Sequence, residues 1–429
     1  MFLHYNRYEN YRRIRDLGMV VPFSNSERIN FACPRLWSYK HVQSYRIDDK
    51  SEALSYGIIW HTLLEHILLL TKEKESFMNI EETMKYVDAT LEPIIEAHYM
   101  DSENEDALNE QYLYGNIQEI KQRIHNAIPG WQKSWMEFLK KFKVLEVELA
   151  VCAPVLDIDG EIALFPTYVM RKDEYVRPSR IGEMEESELL SLPYYKIGKI
   201  DALVEDRDTG ELWICDHKTS GSPAQYENTI NYDVQLPSYS SLLDYEINFG
   251  SLTHLAGKKI AGVIYDISHS KIKDIPELLK SGKLSKAKNA GTPSWIYEKG
   301  IEKYDLPRSE YKDHLQYLRN NADPKKNYQR YFYLTQEDID RCTDEDYGIA
   351  MNMSERRKRL VEISEDSIVD YNAIAYRYPA CQKYGNCTFS SFCLANTQPS
   401  VIELEMADHV RWSVEEETPT LKSSSDLPF

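Results

Sequence analysis

The chain is poor in cysteine and has no long apolar run and no phosphate-loop signature, and each absence removes a class of protein. Seven cysteines in 429 residues are too sparse for a small secreted scaffold held by disulfides. No eighteen consecutive apolar residues occur, so no membrane span is expected. The first residues, MFLHYNRYENYRR, lack the apolar stretch of a secretory signal. The pattern GxxxxGK[ST] is missing, so a fused helicase motor is not expected, and no internal repeat is evident. Positive charge is also short: 51 Lys and Arg against 69 Asp and Glu leave a net charge of −18. That argues against a molecule coated in nucleic-acid-binding surface. It does not exclude a local basic groove, and a well-solvated surface is the plainer account of the charge. The expectation is a soluble intracellular protein with no membrane partner.

What is present supports a large core. At 42% hydrophobic, the chain suits one elaborated domain or two. Residues 28–48 open with Asn30-Phe31-Ala32-Cys33-Pro34, and Pro34 suits the first turn of a helix. A second helix over about 51–71 is apolar almost all round and should be buried. Residues 72–143 read as a helical insertion with a polar break at Asp101–Asp106. Val144–Cys152, Ala163–Arg171, Lys196–Glu205, Glu211–Thr219, Ile260–Ile267 and Gln329–Leu334 read as strands. Tyr232–Tyr245 and 336–363 read as helices. Between the last two strands, residues 268–328 carry Lys271, Lys273, Lys280, Lys283, Lys286 and Lys288 with Trp295, Tyr297, Tyr304, Tyr311 and Tyr317. That mixture suits backbone contacts and base stacking, or equally a solvated loop.

The most informative stretch is Gly198-Lys199-Ile200-Asp201 with Asp216-His217-Lys218-Thr219. Asp208-Thr209-Gly210 marks a hairpin turn. If Asp208 and Thr209 form its tip, counting outward sets Asp201 opposite Asp216, with Cβ atoms about 4.5–5.5 Å apart. Asp216 and Lys218 project from one face, while Ile200, Ala202, Cys215 and His217 are expected to pack inward on the other. Two such carboxylates repel unless a divalent cation lies between them, and a neighbouring lysine can orient a water and stabilise a phosphorane. An ordinary surface hairpin whose Asp and Lys pair across strands has the same spacing. His61 and Glu65 stand at i, i+4 on the apolar helix, where burial without partners is costly. A core histidine bonded to a carbonyl is the bland account. Gln235 and Tyr239 stand at i, i+4 on the next helix, able to hold a phosphate or position Lys218, or to form a half-buried polar edge.

The ordered set G-x-x-x-H-x-x-x-E, G-x-x-D, D-x-K-T and Q-x-x-x-Y, across residues 57–239, resembles the RecB-type branch of the PD-(D/E)XK nucleases. That branch includes cluster-bearing CRISPR-adaptation nucleases and phage exonucleases. The resemblance implies an α/β core, a mixed central sheet flanked by helices as in restriction endonucleases, with a helical N-terminal insertion. It implies that Asp201 and Asp216 bind Mg²⁺ or Mn²⁺, with His61 and the backbone carbonyl of His217 as further ligands. It implies Lys218 as the catalytic lysine, supported by Glu65, Gln235 and Tyr239. DNA is the expected substrate, cut at ends in recombination, repair or phage replication, in the cytoplasm of a bacterium or phage-infected cell. A CRISPR-adaptation trimming nuclease is one alternative. A non-catalytic nucleic-acid-binding or scaffolding protein is another, against which the intact Asp201, Asp216 and Lys218 argue.

Cys381, Cys387 and Cys393, spaced C-x5-C-x5-C, are one thiolate short of a tetrahedral set, and Cys33 is the natural fourth. The resemblance implies a 4Fe–4S cluster stapling the two ends of the domain. The family's common spacing puts two of the C-terminal cysteines only two residues apart, so zinc is the alternative occupant. Cys152, Cys215 and Cys342 read as core residues. The domain is expected over 1–396, with the cysteine segment at 378–396 and an acidic disordered tail at 397–429. The terminal Asp426-Leu427-Pro428-Phe429 resembles the tip with which single-stranded DNA-binding proteins dock a replication or repair partner.

Overall fold

The computed structural model describes residues 17, 19–43, 45–47, 52–100, 110–172, 175–223, 235–272, 274–288, 291–363, 367–376, 387, 389, 393 and 409–411. In chain order come β1 (Val21–Ser24), α1 (Asn25–Phe31), α2 (Pro34–Trp37), β2 (Tyr45–Ile47), α3 (Glu52–Lys74), α4 (Ile80–Met100) and α5 (Glu110–Lys141). Then follow β3 (Phe142–Pro154), β4 (Leu164–Lys172), β5 (Tyr175–Pro178), β6 (Glu188–Asp206), β7 (Leu212–Ser220) and α6 (Gln235–Asn248). The described chain continues with β8 (Ile260–His269), α7 (Ser294–Lys303), α8 (Lys312–Asn321), β9 (Asn327–Tyr333), α9 (Gln336–Val361), α10 (Ile368–Ile374) and β10 (His409–Arg411).

Eight of these strands form one mixed sheet in which β6 is the hub. β3 runs antiparallel to it over Tyr195–Asp206, and β4 continues beside Glu188–Pro193. A strand has two edges, so the remaining partners lie on the opposite one. There β1 pairs in parallel with Tyr194–Ile197, and β7 pairs antiparallel with Ala202–Glu205. Gly198–Asp201 belong to neither of those two ladders. β7 leaves β6 at this point and runs parallel to β8 along its length, with β9 antiparallel beyond. The sheet therefore opens as a fork between β6 and β7, closed at its base by β1 and α1. Ser238 of α6 donates to Asn25 of α1 there, at 2.9 Å.

The hairpin that makes the fork is set by its turn. Asp206 accepts the N–H groups of Gly210 on its carbonyl and Asp208 on its carboxylate, and Gly210 takes φ +72°, a conformation only glycine adopts without strain. This fixes the ladder from Glu205↔Leu212 to Ala202↔Cys215, the register expected from the sequence.

Both faces of the sheet are covered. On one, α3, α4 and α5 pack on Ala202, Val204, Trp213, Cys215 and Ile264. On the other, α6 packs on Ile200, Leu203, Ile214, Val263 and Ile267. Ile200 thus packs on the face opposite Ala202 and Cys215, where strict alternation would have kept them together. Burial on both sides accounts for the near-continuous apolar runs of β7 and β8. By length and composition α3 could cross a bilayer. Here Ile59, Leu63, Leu64, Ile67 and Leu68 have no exposure, each contributing roughly 1.5–3 kcal/mol, so the sheet dictates where α3 lies.

The insertion after β8 has its own small core rather than a solvated loop. Tyr297 and Tyr311 are buried with Leu284, Leu315 and Leu318, and Trp295 donates to the carbonyl of Asn126. These aromatics are therefore not free to stack on bases. Lys283 pairs with Glu310, while Lys286 and Lys288 lie over the rings of Tyr311 and Tyr317. Lys273 lies outside the described residues. Of the acidic tail, His409–Arg411 pairs with β2, contrary to an expectation of disorder throughout, and Asp426–Phe429 lies outside the described residues.

A fourth cluster joins the N-terminal segment, β4, α9 and α10. At its border Lys196 of β6 meets Asp346 of α9 at 2.6 Å, with side chains 2% and 7% exposed, and Arg28 of α1 adds a second contact at 3.2 Å. Burial lowers the lysine pKa and raises the aspartate's, each opposed by its partner. Removing one partner strands a buried charge. Asp346→Ala should lower stability by about 3–5 kcal/mol, whereas a Lys196→Met, Asp346→Leu double variant should cost far less. Urea unfolding of the three proteins measures both.

Candidate active site

Asp201 lies at the first position past the last β6–β7 pair, and Asp216 is its counterpart on β7. Where the ladder stops, the Asp201 carboxylate takes over as acceptor: the His217 backbone N–H donates to Oδ2 at 2.8 Å. His61 Nδ1, delivered by α3, lies 3.3 Å from the same oxygen. Lys218 Nζ lies 2.6 Å from Asp216 Oδ2 and donates to Gln235 Oε1 at 3.4 Å. Gln235 Nε2 in turn donates to the Tyr239 hydroxyl at 3.0 Å. His61 belongs to the helical layer on one face of the sheet, and Gln235 and Tyr239 to the helix on the other. At the fork both layers reach the same point.

The close approach of α6 depends on Gly198. A Cβ there would lie 2.6 Å from Tyr239 Cε1 and 3.1 Å from Leu242 Cδ1. On the α3 side, a Cβ on Gly57 would meet Thr219 Oγ1 at an ordinary 3.5 Å. The two glycines of the sequence pattern thus stand where each helix passes the strands, and Gly198 is the tighter of the two.

Burial sets the electrostatics. Asp201 is 9% exposed and Asp216 4%. For Asp216, burial is the largest influence, and with the Asp201 charge it outweighs Lys218 and raises the carboxyl pKa to about 6. For Asp201, burial pushes the same way, but His61, His217 and Lys218 overcome it and hold the pKa well below the usual carboxylate range. Burial would lower His61, yet Asp201 raises it on balance. Asp201 is the more readily ionised member of the pair, with His61 as its counter-ion and Lys218 as that of Asp216.

Two further residues belong to this neighbourhood that sequence reasoning passed over. Glu148 of β3 lies across the ladder from Asp201, between the pairs Val147↔Ala202 and Leu149↔Ile200. It is 4% exposed and holds φ +52°, a left-handed conformation that is strained for a non-glycine residue. It is ion-paired with Lys199, whose charge is further favoured by Glu65 and Asp201. Glu65 thus acts on Lys199 electrostatically. The period-2 pattern of β3 and the i, i+2 spacing of Lys199 and Asp201 were the available signals. The positive φ, which decides where Glu148 points, has no sequence signature.

Among the described residues, no three His, Cys, Asp or Glu side chains form a ready-made metal cage. The donor chemistry nevertheless fits a hard cation. Asp201 and Asp216 offer carboxylate oxygens, and buried Asp216 Oδ2 receives no well-aligned hydrogen bond although Lys218 is close. Mg²⁺ is commonly held by one or two carboxylates, with water and substrate oxygens completing its shell; carboxylates also suit Mn²⁺.

For the cysteines the structure describes surroundings alone. Cys33 precedes Pro34 as the N-cap of α2, Cys387 packs against the cluster containing Trp37 and Tyr39, and the Cys393 thiol acts electrostatically on Tyr39. Cys381 lies outside the described residues. Cys152 and Cys215 are buried in the core, as is Cys342.

The PD-(D/E)XK nuclease superfamily model matches residues 30–393, a span that contains every side chain of the fork. The chain belongs to the PD-(D/E)XK nuclease superfamily. Its members are typically nucleases and generally use Mg²⁺ or Mn²⁺. Comparison with the curated proteins finds no match.

Gly198→Ala should push the Tyr239 ring off β6 and disturb Gln235 and Lys218. The expected result is a large loss of nuclease activity with little change in secondary structure by circular dichroism. Gly57→Ala, adding only an ordinary contact, should retain most activity. Equal activity in the two variants would contradict the packing described.

Proposed function

We propose that this protein hydrolyses DNA phosphodiester bonds with Mg²⁺ or Mn²⁺, acting from DNA ends in recombination, repair or phage replication. The observation that carries the reading is the convergence of His61, Asp201, Asp216 and Lys218 in one fork. Asp201 and Asp216 would hold the cation, with His61 and the backbone carbonyl of His217 beside them. A bound cation polarises the phosphodiester and lowers the pKa of water. Lys218, held between Asp216 and Gln235, is placed to orient or deprotonate the attacking water and to stabilise the added negative charge on phosphorus. Gln235 and Tyr239 restrict Lys218 to that position. His61 keeps Asp201 ionised, which keeps it ready for a cation. Glu148, Lys199 and Glu65 form a charged support behind Asp201.

We also propose that Cys33, Cys381, Cys387 and Cys393 bind a 4Fe–4S cluster. The packing of the Cys33 segment against the segment bearing Cys387 and Cys393 supports this, since four thiolates from the two ends would join them. The chemistry of the four thiols admits zinc as the other occupant.

Digestion of end-labelled linear and closed circular DNA tests the main reading. Linear DNA should be degraded with Mg²⁺ or Mn²⁺, and chelation should stop it. Asp216→Ala and Lys218→Ala should each slow it by at least about 10²-fold. Persistence in both variants would remove the mechanism, and equal degradation of circles would remove the end dependence. For the cluster, protein purified without oxygen should be brown and carry about four irons per chain. A colourless preparation with stoichiometric zinc would refute the iron–sulfur assignment alone.

A further inference from the structure

We infer that Asp266 is a positioning residue for the cation site and acts through His217. Asp266 lies on β8 beside His217 in the parallel ladder and is 1% exposed. Its Oδ2 accepts from Trp131 Nε1 at 2.9 Å, Trp135 Nε1 at 2.8 Å and His217 Nδ1 at 2.8 Å. Its Oδ1 accepts from Gln329 Nε2 at 2.8 Å. One carboxylate thus ties α5, β7, β8 and β9 together. With Oδ2 as acceptor, His217 donates from Nδ1, so the ring is held in one orientation.

His217 stands between Asp216 and Lys218, whose side chains leave the strand on the opposite face from its ring. Its backbone N–H holds Asp201 Oδ2. A shift of this one residue therefore moves Asp201, Asp216 and Lys218 together. Apolar packing alone would keep α5 on the sheet without burying a carboxylate. Four convergent hydrogen bonds add what packing does not, a fixed height and rotation of β7 at the site. Partners of this kind commonly change metal affinity 10–100-fold when removed.

The inference rests on the reading of Asp201 and Asp216 as cation ligands, and Mn²⁺ binding followed by electron paramagnetic resonance separates the two. Wild type should bind an ion that Asp216→Ala loses. If wild type binds none, the cation reading itself fails. Asp266→Ala should weaken that ion roughly 10–100-fold at temperatures where thermal unfolding shows the variant folded. Asp266→Asn should stay within a few-fold of wild type, because its carbonyl can take the three N–H groups while its amide donates to a turned Gln329. Should Asp266→Ala not fold, His217→Ala carries the test and should weaken Mn²⁺ similarly. Unchanged Mn²⁺ affinity in the folded variants would overturn the positioning role and leave the nuclease reading intact. Asp266→Asn as weak as Asp266→Ala would also overturn it, since charge rather than hydrogen-bond geometry would then decide.

Discussion

Asp201 and Asp216 are set side by side by a hairpin register, and both are buried. Two unit charges about 5 Å apart repel by roughly 3 kcal/mol at an effective dielectric of about 20, before any cost of burial. The rest of the site can be read as the means by which that arrangement is tolerated. His61 neutralises one carboxylate and Lys218 the other, and the Asp216 carboxyl still rises to about 6. A fold that keeps such a pair must hold positive charge at the same point.

The sheet meets a second constraint, that of access. A strand inside a sheet covered on both faces offers no room for reacting groups, because its backbone is paired and its side chains are packed. β6 escapes this only where β7 has left it and β1 has not yet begun. The gap is four residues long and contains Gly198 and Asp201. Gly198 lets Tyr239 descend on the strand, and Asp201 replaces the missing ladder acceptor for His217. One interruption of pairing thus creates the space and supplies the hydrogen bond that stabilises it.

Much of this was legible in the sequence for simple reasons. Period-2 strands separated by Asp-Thr-Gly give a countable register, so the pairing of Asp201 with Asp216 followed from arithmetic. A helix apolar on all sides had to be buried, so His61 had to find a polar partner inside. Groups fixed by long-range placement were not legible. Asp266 reads as one polar residue in the apolar run Ile260–Ile267, and nothing local says that two tryptophans from α5 will meet it. Glu148 depends on a left-handed backbone at that position, and β1 depends on a parallel contact with residues more than 150 positions away. Two tyrosines of the insertion misled for the opposite reason. Its composition suits nucleic acid, but Tyr297 and Tyr311 are consumed by a local core.

The charges around the fork also bear on the order in which ligands can arrive. Asp201, Asp216 and Glu148 each already have a cationic partner in His61, Lys218 and Lys199. His61, raised by Asp201, carries its charge over a wider pH range than a free histidine. The side chains therefore nearly balance one another, and no closed cage waits among the described residues. On the proposed reading, a divalent ion alone would add excess positive charge beside Lys218, and a phosphodiester alone would meet two carboxylates. Together they come much closer to balance, the ion facing the carboxylates and the phosphate facing Lys218. A site built this way would bind its cation and its nucleic acid better jointly than singly, and on that reading a protein of net charge −18 would hold a polyanion at one place and repel it elsewhere.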